Sequence, residues 1–160
     1  MKQKITSCLL GTGLLAALGL AYGAERFSYS NNGSEVTDSA TGLIWKRCAE
    51  GMTWSGVSCT GSAAEYTHEA ALQLGKNGWH KNGWRLPNIK ELTSIVDRSR
   101  KSPAIVPTAF PTTTPVFFWT SSPYVGNSVN AWFVDFYDGG VYGSFNTSKR
   151  YGRNVVRLVR

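Results

Sequence analysis

The chain has 160 residues, 42% of them apolar and 17% charged, and its 17 basic against 10 acidic residues give a net charge of +7 at neutral pH. That length makes one ordinary domain with enough chain to bury a core, and nothing in it requires a second. The basic balance suits an anionic partner such as a glycan, lipopolysaccharide, an acidic lipid or nucleic acid, although in an exported protein it also serves solubility alone.

Lys2 and Lys4 precede an apolar run from Cys8 to Leu20, and Ala21-Tyr22-Gly23 offers small residues for cleavage. Residues 1–23 therefore read as a secretory signal peptide. The run is shorter than the roughly 20 residues of a spanning helix, which makes a retained anchor the weaker reading. Cys8 lies ahead of the Leu-rich core, unlike the lipidated cysteine of a lipoprotein, and no later segment is apolar enough to span a membrane. The expected location is outside the cytoplasm: periplasmic, cell-surface or secreted. Cleavage removes Cys8 and leaves Cys48 and Cys59, which an oxidising compartment is expected to join in a disulfide.

Residues 24–36 are polar, with a turn signal at Asn31-Asn32-Gly33-Ser34, and read as a loose arm ahead of a domain spanning 37–160. Leu43 to Cys48 is a short strand. Ala63 to Leu74, rich in Ala, Glu and Leu and stopped by Gly75, is a first helix with two candidate starts. Ser62 with Glu65 makes a capping-box pattern, whereas Thr67 begins the helix after an irregular lead; Thr67 is preferred. Gly75, Gly78 and Gly83 punctuate the link that carries Trp79.

The second helix has complete start signals. Pro87 biases Leu86 away from helical angles, Asn88 caps, and Glu91 reaches back to the cap's own N–H. Ile89, Leu92, Ile95 and Val96 then form one apolar stripe, with Lys90, Thr93, Ser94 and Asp97 toward water. Beyond Asp97, Pro103, Pro107, Pro111 and Pro115 recur every fourth residue and exclude both helix and central strand. The segment reads as a long loop pinned by Ile105, Val106 and Phe110. Aromatic and β-branched residues dominate from Val116 onward. Asp138-Gly139 between Ala131–Tyr137 and Val141–Phe145 signals a hairpin, and Asn154 to Arg160 is the last strand. One early strand, two helices and then several antiparallel strands make an α+β protein without a parallel sheet.

Trp84-Arg85-Leu86-Pro87-Asn88 with Glu91-Leu92 resembles the signature of the Lcl C-terminal domain family, named after a bacterial collagen-like adhesin. Thr41-Gly42-Leu43-Ile44-Trp45, Glu69-Ala70-Ala71, Ala109-Phe110-Pro111, Phe118-Trp119-Thr120-Ser121-Ser122, Ala131-Trp132-Phe133-Val134-Asp135-Phe136 and Val156-Arg157-Leu158-Val159-Arg160 resemble its other motifs in the same order, over residues 37–160. The family often carries a further cysteine where Leu158 stands. The segment Leu72-Gln73-Leu74, where a partner would be expected, is apolar, so packing is expected to replace that bridge. The second helix and the closing strand also resemble those of formylglycine-generating enzymes. That similarity implies a C-type-lectin-like fold: two helices packed on a mainly antiparallel sheet, the Leu43 and Val156 strands paired, and long loops at one end.

The sequence offers little chemistry. It has no nucleophile elbow, no phosphate-cradling loop and no metalloprotease helix. His68 and His80 lack ligand spacing, so neither metal nor cofactor is expected. Asp135 and Asp138 read as turn residues, not a catalytic carboxylate pair. The triplets of calcium-dependent lectins are missing, as are the late cysteines of formylglycine-generating enzymes. The chain is therefore read as no enzyme.

Arg85 and Glu91 read as a structural pair at the helix start, and Trp45, Trp84, Trp119 and Trp132 as core. Trp54, Trp79 and Tyr124 lie in turn-rich stretches where an exposed ring would stack on a sugar. Lys149, Arg150 and Arg153 near the terminus, with Arg98, Arg100 and Lys101 after the second helix, are the candidate polyanion ligands. Arg157 alternates with Val155 and Val159 and reads as partly buried and structural. The expected function is an exported adhesin or lectin-like module that binds a sulfated or other polyanionic glycan. The alternative is an accessory subunit of a surface assembly such as a pilus, recognising protein. Nucleic acid is not the expected partner. A stretch rich in Asn, Ser, Tyr, Asp and Gly, residues 121–154, would also suit a diversified binding surface.

Overall fold

The computed structural model describes residues 25–75, 82–126, 130–143 and 153–160. The expected signal peptide, residues 1–23, and Trp79, His80, Lys149 and Arg150 lie outside the described residues.

The segment expected to be a loose arm forms two strands, β1 (Phe27–Tyr29) and β2 (Glu35–Asp38), paired antiparallel. Only Phe27 and Val36 are both apolar and buried here, too few to give a periodic signal. Polar contacts do the rest. Arg26 meets the buried Asp38 carboxylate through Nε at 2.8 Å and Nη2 at 2.7 Å, and the same Nη2 donates to the Ser94 carbonyl. Gly33, at φ 70°, closes the turn with an N–H bond to the Ser30 carbonyl. β3 (Ile44–Lys46) pairs with β2 and completes a three-stranded antiparallel sheet.

After β3 come β4 (Thr53–Trp54) and β5 (Cys59–Thr60), a two-stranded hairpin, and β6 (Glu65–Tyr66). Cys48 and Cys59 form the expected disulfide. α1 (His68–Gln73) starts at Thr67, whose side chain accepts from the Ala70 N–H, and the lead from Ala63 is irregular chain and the β6 strand, not helix. α2 (Ile89–Ser94) has its full capping box: the Asn88 side chain accepts from Glu91 N–H, and the Glu91 carboxylate accepts from Asn88 N–H. Leu92 and Ile95 are buried and Ile89 and Val96 half-buried, as the stripe requires. The helix ends at Ser94, one turn short of Asp97, because Thr93 and Ser94 turn their hydroxyls back onto the carbonyls of Ile89, Lys90 and Glu91.

The second sheet runs β6-β10-β7-β8-β9, with β7 (Phe117–Pro123), β8 (Ala131–Asp135), β9 (Gly140–Tyr142) and β10 (Asn154–Val155). Its pairs are antiparallel except β10 with β7, which run parallel through Val155 and Phe118. In the sequence the β8–β9 hairpin lies between these two strands, and β7, β9 and β10 all run in the same direction. α1 packs on β6 and β7, and α2 on β7 and β8.

The last strand is shorter than its sequence suggests. Past Val155 the chain leaves the second sheet and closes the domain on the first: Ile44 and Arg160 exchange backbone hydrogen bonds at 2.9 Å, and Lys46 N–H donates to Leu158. Val159 bridges Trp45 on one side and Arg85 on the other. The expected pairing of the opening and closing strands is therefore present.

One core cluster joins Trp45, Leu92, Ile95, Phe110, Phe118, Phe136 and Val159; the other joins Ala71, Trp84, Trp119, Phe133 and Leu158, with Leu72 and Leu74 packed against it. Leu158 thus fills its site with apolar contacts to the α1 segment. The Pro-rich loop is pinned by buried Ile105 and Phe110 and half-buried Val106. Trp45, Trp84 and Trp119 are core, but Trp132 is half-buried. In β8 Ala131 and Phe133 turn inward, so Trp132 faces the other way and meets Tyr124 edge-on at 5.1 Å.

Candidate binding surface

The basic loop after α2 is held in one shape by its own side chains. The Asp97 carboxylate accepts from the Ser99 N–H at 3.0 Å, the Ser99 hydroxyl at 2.6 Å and Arg100 Nε at 3.0 Å. The Ser99 hydroxyl above all holds that carboxylate below its ordinary pKa, with slight burial opposing and Arg100 assisting. Arg98, Arg100 and Lys101 are exposed. Arg98 and Lys101 make no ion pair among the described residues.

Backbone bonds stitch this loop to the β8–β9 turn. Ser102 N–H donates to the Tyr137 carbonyl at 2.7 Å and Ala104 N–H to that of Phe136 at 2.7 Å. The turn has its own locks: Asp135 accepts from Tyr137 N–H and Asp138 from Gly140 N–H, both at 2.8 Å. Gly139, at φ 80°, packs where any side chain would strike Val96. Both aspartates serve the turn geometry, in keeping with their sequence reading.

Tyr137, 55% exposed, leans over a cleft of about 400 Å³ at the end of the second sheet, where Arg153 is also found. Glu65, Phe117, Asp135 and Asn154 share the lining. Tyr137 therefore stands between the loop of Arg98, Arg100 and Lys101 and the single residue Arg153, which the sequence separates by some fifty residues. Sequence reading missed Glu65, Phe117, Tyr137 and Asn154, because only the topology of the second sheet brings them to one end.

Two of the stacking candidates, Trp54 and Tyr124, are engaged within the protein, and Trp79 lies outside the described residues. Trp54 is half-buried, donates from Nε1 to the Asn32 carbonyl at 2.9 Å and lies under the Arg47 guanidinium at 4.2 Å. Arg47 itself, buried between Tyr29 and Trp54, donates to the carbonyls of Gly33, Thr108 and Ala109 and knits β1–β2 to the Pro-rich loop. Burial lowers its pKa. Tyr124 is half-buried, edge-on to Trp132, and crowds both Gly126 and Gly143.

Arg157 is fully buried. It donates to the carbonyls of Lys46 and Arg47 and to the Thr113 hydroxyl, beneath the rings of Phe110 and Phe118. Burial pushes its pKa down to about 9, with Glu50 opposing, so it stays cationic at neutral pH. Arg85 pairs with Glu91, as expected. Among the described residues no group of three or more His, Cys, Asp or Glu could hold a metal ion, and no helix is long and apolar enough to cross a membrane.

No curated protein matches the chain. Residues 34–160, most of the protein, match the Lcl C-terminal domain. That family is associated with surface adhesins, and the chain, with its capped Asn88 helix and paired ends, belongs to the Lcl C-terminal domain family.

Proposed function

We propose that the protein is an exported, non-enzymatic binding module of the adhesin type, which engages a sulfated or other polyanionic glycan through its basic loops. One observation carries this reading: the Ser102–Tyr137 backbone bond sets the exposed Arg98, Arg100 and Lys101 loop beside the cleft that holds Arg153. Lys149 and Arg150 precede Arg153 closely in the sequence and add to the basic residues available to such a ligand. Rigid presentation favours binding, because a loop already fixed by Asp97 loses little entropy on contact. Membership of an adhesin-associated family and the Cys48–Cys59 disulfide support export. The closure of the chain ends through Ile44 and Arg160 supports a C-type-lectin-like arrangement.

Retention on immobilised heparin across a salt gradient tests this function. Contact through exposed charges weakens steeply as ionic strength rises; retention that ignores salt, or no retention, rejects it.

A second reading, recognition of protein within a surface assembly such as a pilus, is favoured by exposed aromatics on the β7–β9 face. Phe117 and Tyr142, 41% and 40% exposed, flank the buried Phe133 ring at 5.0 and 5.8 Å. An apolar centre of that kind is ordinary for a protein interface and little affected by salt.

A further inference from the structure

We propose that the groove at the end of the second sheet binds an uncharged oligosaccharide, at a site that shares only Arg153 with the basic residues assigned to polyanions. Its position follows from topology. β7 and β10 run parallel with a single pairing, Val155 to Phe118, and are flanked by antiparallel β8 and β6. The start of β7, the approach to β10 and the end of β8 therefore converge, bringing together Phe117, Arg153 and Asp135, with Glu65 of β6 opposite Val155.

The 400 Å³ cleft continues into a second cavity of about 300 Å³ that shares Glu65, Val116 and Val155 and adds the hydroxyl residues Ser62, Thr112 and Thr114. Each cavity has the size of a small-molecule site, and their continuity suits a chain of linked units.

The lining has the chemistry of a polyhydroxyl ligand. Carboxylates accept from sugar hydroxyls, a guanidinium donates to them, and the exposed rings of Phe117 and Tyr137 offer faces to pyranose C–H groups. Asn154 gives an independent sign. It is 4% exposed, it lines the cleft, and its Nδ2 has no hydrogen-bond partner. Buried amide donors are ordinarily satisfied, and the soft terminal torsion of asparagine lets this one turn toward an acceptor supplied by a ligand.

Charge decides the class of saccharide. Glu65 and Asp135 outnumber Arg153 in the cleft, and no ion pair ties them among the described residues. A sulfate or carboxylate set between these two carboxylates would meet repulsion, so anionic glycans are left to Arg98, Arg100 and Lys101 outside, with Arg153 as the one group within reach of both ligands. Geometry disfavours a peptide: the groove crosses strand ends instead of following the free edge of β6 or β9, where an added strand would find its backbone partners.

The test titrates the purified protein with neutral hexasaccharides of the cello-, malto-, xylo- and chito-oligosaccharide series, followed by amide NMR and calorimetry. One series should shift the amides of Phe117, Asp135 and Val155 saturably and unaffected by half-molar salt. Glu65→Gln, Phe117→Ala and Asn154→Ala should each weaken it by about tenfold or more, the loss of one good contact. Glu65→Gln, on an exposed side chain, should leave the melting temperature unchanged, which separates site from fold. Silence from all four series, or shifts that persist equally in the three variants, overturns the proposal. A Lys-rich peptide that binds the parent but not Glu65→Gln, with no saccharide responding, overturns it in favour of a protein partner.

Discussion

Arg85 and Glu91 meet in a two-pronged ion pair, Nη1 to Oε2 and Nη2 to Oε1, each at 2.7 Å, while Oε2 also accepts the Asn88 N–H at 2.8 Å. One carboxylate thus caps α2 and ties it to the strand-like residue that pairs with Val159. Glu91→Ala should cost about 1–2 kcal/mol, mostly as the lost cap, because the Arg85 side chain is 48% exposed and its share is screened by water. Glu91→Gln should recover part of the cap but not the pair. Urea unfolding of both variants checks the order; equal losses would contradict it.

Acid should weaken the fold through the same carboxylate and through Asp38. The Arg85 hydrogen bond above all holds Glu91 below its ordinary pKa of 4.5, against burial and with help from Asn88 N–H and the charge of Arg85. Burial alone would raise Asp38, but Arg26, Ala40 N–H and the Thr41 hydroxyl together bring it below 3.8. Both groups hold fewer protons folded than unfolded, so their contribution is present above these ordinary values and is lost as pH falls through the lower, folded ones. Stability should fall steadily below about pH 4.5. Asp38→Asn should be weaker at neutral pH and should flatten the acid slope, as read by denaturant titration at stepped pH.

Arg157 should be irreplaceable for folding. Arg157→Ala takes the guanidinium donors from two backbone carbonyls and from the Thr113 hydroxyl and leaves a cavity in the core, which should cost about 3 kcal/mol or more. Arg157→Lys should not rescue it, since an ammonium point charge cannot reproduce the guanidinium fork. Melting temperatures of the two variants check this; a lysine variant as stable as the parent would contradict it.

The disulfide should matter by constraint of the unfolded chain. Its cysteines are 11 residues apart, so Cys48→Ser with Cys59→Ser should lose roughly 3 kcal/mol and still fold. Denaturant midpoints with and without the pair measure it.

The parts legible in the sequence were those with local signals. The Asn88 cap, the Ile89–Val96 stripe, Thr67 and the Asp138-Gly139 turn each need only a few neighbouring residues to state their structure. β1 and β2 escaped because their order rests on Arg26–Asp38 and on Arg47 reaching across the chain to Gly33, contacts without periodicity. The parallel β10–β7 pair escaped for the same reason, since one cross-strand pairing leaves no pattern. With it went the groove, whose Glu65, Phe117 and Asn154 look ordinary until the second sheet sets them together.

Heparin retention of a variant with Arg98, Lys101, Lys149, Arg150 and Arg153 all changed to Gln, read beside its melting temperature, tests the central claim most directly. Arg98, Lys101 and Arg153 are exposed, and exposed charges add little to folding, so the variant should lose retention at moderate salt while its melting temperature stays close to the parent's. A variant retained as the parent is, or a parent that heparin does not retain, would contradict the account and move protein recognition ahead of it.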